Sequence, residues 1–407
     1  MTPKALDGVR VLDLSRVLAG PYCTQMLGDL GADIIKIERP GMGDDTRRWG
    51  PPFLQDDHHQ DTSESAYYLS TNRNKKSVAI DINHSQGQAL IHQLIAQSDV
   101  LVHNFKVGGL AKFGLEYDQL KTQYPRLVYC AISGFGQTGP MAKEPGYDFL
   151  AQAMSGLMAC TGEPGSPPMK VGVALVDVMT GLNAAVGILA ALNARQHTGK
   201  GQLVDLSLLD CATASLTNIA QYYLTSGKNA PRQGNAHPSI VPYQNIETAD
   251  GHIILAVGND EQFSRLATAL NQPHWANDPL YQTNAARVKH RDTLTTLITQ
   301  CTSQKTTEHW LAELKRHQVP CAPVNQTSEV FELEQIKARE MQISMAHPYT
   351  TTPLSLVGSP IKLSETPVHY KTAPPLCGQH TSKVLLDELG MSKEEVENLL
   401  HLGVIAN

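Results

Sequence analysis

The first third of the chain alternates short runs of apolar, β-branched residues with stretches of helical periodicity, and that alternation leaves few folds open. Val9–Leu14 (VRVLDL), Ala32–Glu38 (ADIIKIE), Ser77–Ile82 (SVAIDI), Asp99–His103 (DVLVH) and Leu127–Ile132 (LVYCAI) read as buried strands. Gly20 to Gly31 reads as a helix, with Pro21 in its first turn and Gly31 as its stop. A second helix, about Gln86 to Gln97, carries Ala89, Leu90, Leu94 and Ile95 on one face. Strands that alternate with helices form a mainly parallel sheet covered on both sides, so the expected class is α/β.

Further on, Asp177–His197 reads as one long helix closed by the turn TGKG at Thr198–Gly201, and Val204–Leu206 leads into another helix. Around Ser226–Ser239 the composition shifts to Gly, Asn, Pro, Lys and Arg, which marks a domain boundary. A smaller α+β region follows: Tyr243–Glu247 and His252–Val257 flank Asp250-Gly251, a hairpin signal. Helical patterns run to about Lys315. After Pro323 the chain reads as Pro-rich loop, then as helices near Thr381–Leu389 and Lys393–His401. A length of 407 residues agrees with two domains, since one domain holds roughly 100–200.

A formal charge of −6 argues against a general nucleic-acid or anionic-membrane surface, which needs a basic face. The N-terminus has no signal-peptide pattern, and the most apolar run, Val171 to Leu192, is broken by Asp177, Thr180 and Asn183. Seven cysteines lie scattered without a CxxC pair; Cys23, Cys130, Cys160 and Cys211 sit in apolar contexts and read as core. The expectation is a cytoplasmic, reduced, metal-free protein without nucleic acid or membrane as partner.

Several local patterns invite chemistry and fail on detail. The opening βαβ unit with Glu38 at the end of its second strand suggests a dinucleotide site. The turn after the first strand reads SRVLAGPY, however, without the glycines that let backbone approach a pyrophosphate. A helix start near Gly20 can still receive phosphate. Arg16, Lys36, Arg39, Arg47, Arg48, Arg73, Lys75, Lys76, Lys106 and Lys112 would suit a polyphosphate ligand if they converged, and singly read as surface residues. His58-His59 beside Asp56 and Asp57 reads as a polar loop, and Ser133-Gly134-Phe135-Gly136 lacks G-x-S-x-G. Asp177 opens an otherwise apolar helix; helix caps and satisfied buried carboxylates occupy such places as readily as nucleophiles do.

Seven segments taken together resemble the class III CoA-transferases, the family of formyl-CoA transferase and carnitine CoA-transferase. They are LDGVRVLDLSRVLAGPYCTQMLGDLGADIIKIERPGMGDDTR near the start, NRNKKSVAIDI, HNFKVGGLAKFGL, ISGFGQTGP, GYDFLAQAMSG, DVMTGLNAAVGILAALNARQHTGKGQ and GQHTSKVLLDELG. They occur in the family's order over almost the whole chain. The resemblance implies a Rossmann-like large domain with a parallel sheet, built from 1–220 and, after a linker, the C-terminal part of 330–407. A smaller α+β domain at 225–325 is inserted, and two ring-like chains interlock as a homodimer. It implies Asp177 as nucleophile, with Gly181 following. For coenzyme A it implies Arg16, Val17 and Ala19 after the first strand, Arg39 after K-I-E, Lys75, Asn104, Phe105 and Lys112. The usual N-F-R-P-G reads NFKVG here, so Lys106 keeps the charge and Val107 loses the stiffness of proline. Tyr147, Asp148 and Gln152 would lie beside the active site, and QGNAHPS, with Gly234, Asn235 and His237, would form the loop over the substrate.

Such an enzyme moves CoA from an acyl-CoA to a carboxylic acid through an aspartyl anhydride and an aspartyl-CoA thioester. CoA or acyl-CoA is then a substrate and there is no prosthetic group. Oxyanion donors are expected from the Gly234 loop or the helix start, whose dipole would favour ionised Asp177. The stretch PSIVPYQNIETADG resembles members acting on dicarboxylates such as succinyl-CoA with glutarate, for which Arg232 or His237 would hold the distal carboxylate. Two alternatives remain. A 2-methylacyl-CoA racemase of the same superfamily carries histidine where Tyr147 stands, and a neutral phenol is a poor general base at neutral pH. A non-catalytic CoA-binding protein would not need Asp177.

Overall fold

The computed structural model describes residues 3–407 and divides into two compact units. The first runs to Leu157, resumes over Lys170–Ala220 and closes with Gln335–Asn407; the second joins Met158–Met169 to Gln221–Glu334. The composition shifts near 225 and 330 gave no sign that Met158–Met169 belongs with the second unit.

Seven strands form the main sheet of the first unit: β1 Arg10–Asp13, β2 Asp33–Glu38, β3 Lys75–Ile80, β4 Val100–His103, β5 Val128–Ser133, β6 Leu203–Ser207 and β7 Ile405–Ala406. Their spatial order is β7-β3-β2-β1-β4-β5-β6. Every neighbouring pair is parallel except β7 with β3. Successive side chains of a strand enter opposite layers. Val11, Val100, Val102, Val128 and Cys130 face one core, and Leu12, Leu101, Tyr129 and Ala131 the other.

The first core is covered by α1 (Ala19–Asp29) and the long helix α4 (Leu175–Thr198), through Cys23, Leu27, Ala184 and Ile188. The second is covered by α2 (Ser85–Ala96) and by the two C-terminal helices, through Leu90, Leu94, Val384, Leu385, Val396 and Leu399. By length and composition α4 is apolar enough to cross a bilayer, but Ala184, Ile188 and Ala191 lie in the core.

Two elements depart from the reading after Pro323. Gln342–His347 and Thr350–Val357 form an antiparallel hairpin, where a prolyl residue at 353 disguised a strand. Met345 and Leu356 pack it on Tyr68 and Leu69. The tail supplies β7 as an antiparallel edge strand; two residues are too few to show a period. The second unit holds the three-stranded antiparallel sheet of Tyr243–Glu247, His252–Ala256 and Cys321–Pro323. Its core gathers Ile253, Leu255, Phe263, Leu266, Leu294, Ile298, Trp310 and Leu314.

The chain steps outward from β1 to β3 and then returns to the other side of β1 to lay down β4. At such a reversal the loops leaving the two central strands diverge, and a crevice opens beyond their carboxyl ends. Those loops carry Arg16 and Asn104.

Candidate active site

Asp177 stands in the first turn of α4, where Ala174 offers no side-chain cap. The cap comes from a neighbouring element. Asp148, first residue of the short helix α3 (Asp148–Met154), accepts the Val176 N–H at 2.8 Å and the Asp177 N–H at 3.2 Å on Oδ2. Its Oδ1 accepts the Gln152 side-chain amide at 2.6 Å, and Gln152 Oε1 accepts the Val171 N–H at 2.9 Å. Gln152 is buried and fixes Asp148, which in turn fixes the start of α4. The N–H groups at the helix start, expected to favour ionised Asp177 or to receive an oxyanion, are therefore spent on Asp148.

Burial, followed by the negative charge of Asp148, raises the Asp177 carboxyl from its ordinary 3.8 to about 7. Burial, together with the charges of Asp177, Asp148 and Asp44, pushes the Tyr67 phenol up to about 12. Tyr67 therefore stays protonated, and its ring meets Trp49 edge-on at 5.2 Å. No motif in the sequence marked either residue. Tyr147, by contrast, is 68 % exposed.

Gly181, one turn after Asp177, has a plain steric reason. A Cβ there would lie 2.6 Å from the Ala19 carbonyl oxygen, so glycine lets α4 seat against the first turn of α1. A Cβ at Gly20 would lie 2.3 Å from the Ser15 side chain, which packs the loop after β1 onto the same turn.

A cavity of about 250 Å³ opens at the carboxyl ends of the central strands, lined in part by Arg16, Lys36, Arg39, Asp44, Asn83 and Phe105. Arg16 reaches Asp45 at 2.8 Å, and its guanidinium lies 5.6 Å from the centre of the Phe105 ring. Asn104 accepts the Arg16 N–H at 2.9 Å and donates to the Arg16 carbonyl at 2.6 Å, joining the loops after β1 and β4. Ala19 is buried at the start of α1. The structure thus brings Arg16, Arg39 and Phe105 to one cavity, with Asn104 holding the Arg16 backbone, while Ala19 faces the core.

The other expected cations do not converge there. Lys75 is buried and directed inward, donating to Asp13, the Pro21 carbonyl and Asn72; burial lowers its ammonium to about 8. Lys112 sits on the exposed turn Ala111–Phe113 over its neighbour's ring. Arg47 is enclosed by Glu38, Glu64 and Tyr68, and Arg73 pairs with Asp29. Glu38, the would-be ribose acid, is taken by Arg47, Ser77 and the Asp44 N–H. Asp56 and Asp57 accept backbone N–H groups at 58, 60 and 351. Cys160, expected in the core, is half-buried.

Gly234 and His237 belong to the second unit. Gly234 adopts φ +57°, and its N–H donates to the Gly162 carbonyl at 3.1 Å. A Cβ there would strike the Glu163 carboxylate at 2.4 Å. His237 accepts the Ser239 N–H on Nδ1 at 3.1 Å and packs edge-on against Tyr243 at 5.4 Å.

Residues 6–381 match the model of CoA-transferase family III. The chain belongs to that family. The transferase is 45 % identical over 383 residues to the succinate–glutarate CoA-transferase of Agrobacterium fabrum, covering 94 % of this chain and 95 % of the relative. It is 43 % identical to the succinyl-CoA:glutarate CoA-transferase of Mus musculus, over 99 % and 90 % of the two chains. A solved CaiB/BaiF family protein from Brucella suis superimposes with a TM-score of 0.86 at 43 % identity, covering 94 % of this chain and 99 % of that one. The protein is a CoA-transferase, acting on an acyl-CoA and a carboxylic acid.

Proposed function

We propose that the transferase moves CoA from succinyl-CoA to a second dicarboxylate such as glutarate, with Asp177 as covalent nucleophile. The observation that carries this reading is a carboxyl held at about 7 in the first turn of the long core helix, in a chain whose relatives are named for that exchange.

Desolvation strengthens a carboxylate as a nucleophile by removing the water that would shield it. The ionised Asp177 attacks the thioester carbonyl, forming a mixed anhydride and releasing the CoA thiolate. The thiolate attacks the aspartyl carbonyl, leaving an aspartyl-CoA thioester and freeing succinate. The acceptor carboxylate then attacks that thioester, and the thiolate released returns to the acceptor's carbonyl, giving new acyl-CoA and free Asp177. One thioester is broken and one made, so no other energy source enters. Arg16, Arg39, Asn104 and Phe105 would hold the CoA portion, and Tyr67, kept protonated, can donate a hydrogen bond beside the aspartates. For the distal carboxylate of the acceptor, Arg232 or His237 would supply the cationic or polar group.

Tyr147, Phe149, Leu150, Val173, Leu182 and Val186 are exposed, and so many exposed apolar side chains around the two aspartates support an interlocked homodimer. A solution mass of twice 44.3 kDa is expected; a monomer at micromolar concentration would count against it.

The deciding experiment incubates the enzyme with succinyl-CoA and a panel of mono- and dicarboxylic acids, reading acyl-CoA products by mass spectrometry. New thioesters should form with dicarboxylates, vanish in Asp177→Ala, and lose their dicarboxylate preference in Arg232→Ala. Absence of exchange with every acid, alongside deuterium uptake into a 2-methylacyl-CoA, would replace the transferase chemistry with α-proton transfer.

A further inference from the structure

Val17 has a φ of +73°. A β-branched residue in the left-handed region is a steric outlier that persists only where its surroundings impose it. The surroundings here are unusually complete. The Ser15 N–H donates to Asp13 Oδ1 at 2.9 Å, and the Ser15 carbonyl accepts Lys36 Nζ at 2.8 Å. Both polar groups of the Arg16 backbone are held by Asn104. The Val17 N–H donates to Asp44 Oδ1 at 3.3 Å.

Two of these holders are linked to each other. Lys36 Nζ lies 2.9 Å from Asp44 Oδ2, and both side chains are fully buried. Asp44 is itself fixed: its Oδ1 accepts Thr46 N–H and Oγ1, and its own N–H donates to Glu38. Gly43, with φ +65°, brings it there, since a Cβ would collide with Arg47 and Glu38. Lys36, with Asp13, Ser15, Glu38 and Asp44 around it, has no anionic ligand to meet in its own right.

We infer that Lys36 and Asp44 are positioning residues, a buried ion pair that forces the Ser15–Val17 backbone into the strained turn shaping the acyl-CoA cleft. The inference rests on the reading that the cleft lined by Arg16, Arg39 and Phe105 receives CoA. Both residues border the cleft, but with their side chains fully buried they act on it through backbone: Lys36 sets the direction of the peptide after Ser15, and Asp44 that before Val17. Arg16 lies between the two and inherits its place from them. Both residues lie on β2 and the turn that follows it, so the second strand sets the loop that the first strand emits.

The test is a kinetic double-mutant cycle. Asp44→Ala, and Lys36→Met/Asp44→Ala so that no lone charge is left buried, should each raise KM for succinyl-CoA about tenfold with kcat within about twofold. Val17→Gly accepts positive φ without strain. In that background, removing the pair should raise KM only about twofold, a non-additivity a merely structural role would not produce. Circular dichroism and thermal melting confirm which variants are folded. The inference is overturned if folded pair variants keep the wild-type KM, or if KM rises equally with Val17 and Gly at position 17. Arg39→Ala separates the two readings. If it raises KM while the pair variants do not, only the positioning role falls; if it leaves KM unchanged, the CoA cleft lies elsewhere and both fall.

Discussion

In the role proposed for it, Asp177 has to satisfy two requirements that oppose each other. As a nucleophile it must be ionised, yet the burial that protects an anhydride from water favours its protonated form. A carboxyl raised to about 7 is ionised on the alkaline side of that value. The transferase's kcat/KM should therefore climb with pH and level off above about 7. Asp148 is the second cause of the shift, so Asp148→Asn should move the rising limb to lower pH, toward the ordinary carboxylate range. A limb that stays in place would show that burial alone sets it. The same variant keeps an oxygen able to accept the Val176 and Asp177 N–H groups, so the helix start should survive. This arrangement was half visible in the sequence. Asp177 and Asp148 could be named from motifs, but residues 29 apart give no sign that one caps the helix of the other. Lys75 shows the reverse failure, for a motif lysine can be pinned inside by Asp13 and Asn72 as easily as it can meet a phosphate.

The elements that frame the site follow from contacts between helices as much as from strands. Helix α4 meets α1 across Gly181 and the Ala19 carbonyl, with no room for a methyl group. Gly181→Ala should lower stability by roughly 1–3 kcal/mol, the usual effect of overpacking a close contact. A urea titration checks this: the midpoint should fall while the slope is unchanged. If the midpoint holds, α4 can slide, and the packing of Asp177's helix on the loop after β1 is not rigid. Strands β1 to β5 were legible because each holds a run of apolar residues with turn signals near its ends, whereas β6, LVDLS, is short and interrupted by Asp205. The Gln342–His347 and Thr350–Val357 hairpin was not legible, because its prolyl residue and threonine-rich faces resemble loop. Tyr67 was missed for a different reason: it approaches the aspartates through the fold of the chain, and nothing local distinguishes it from a core aromatic.

At the scale of the whole molecule, the first unit draws its second core from both ends of the chain. Val396, Leu399, Val404 and Ile405 are buried there, far in sequence from Leu12 and Leu101. Each buried aliphatic side chain stabilises by roughly 1.5–3 kcal/mol, so the four together match the net stability of a typical domain, about 5–15 kcal/mol. Removing residues 393–407 should leave the chain insoluble or proteolysed even though every residue assigned to the site remains, and limited proteolysis of the truncated protein checks it. A soluble, active truncation would mean the tail only decorates the sheet. The placement of β7 also fixes the order in which a nascent chain can mature on the ribosome. The second unit, whose core lies within residues 241–319, has all its material once Glu334 has emerged, while the parallel sheet waits unfinished. Its edge beside β3 stays open until Ile405 arrives, so the sheet that frames Asp177 closes only long after that residue has been joined to the chain.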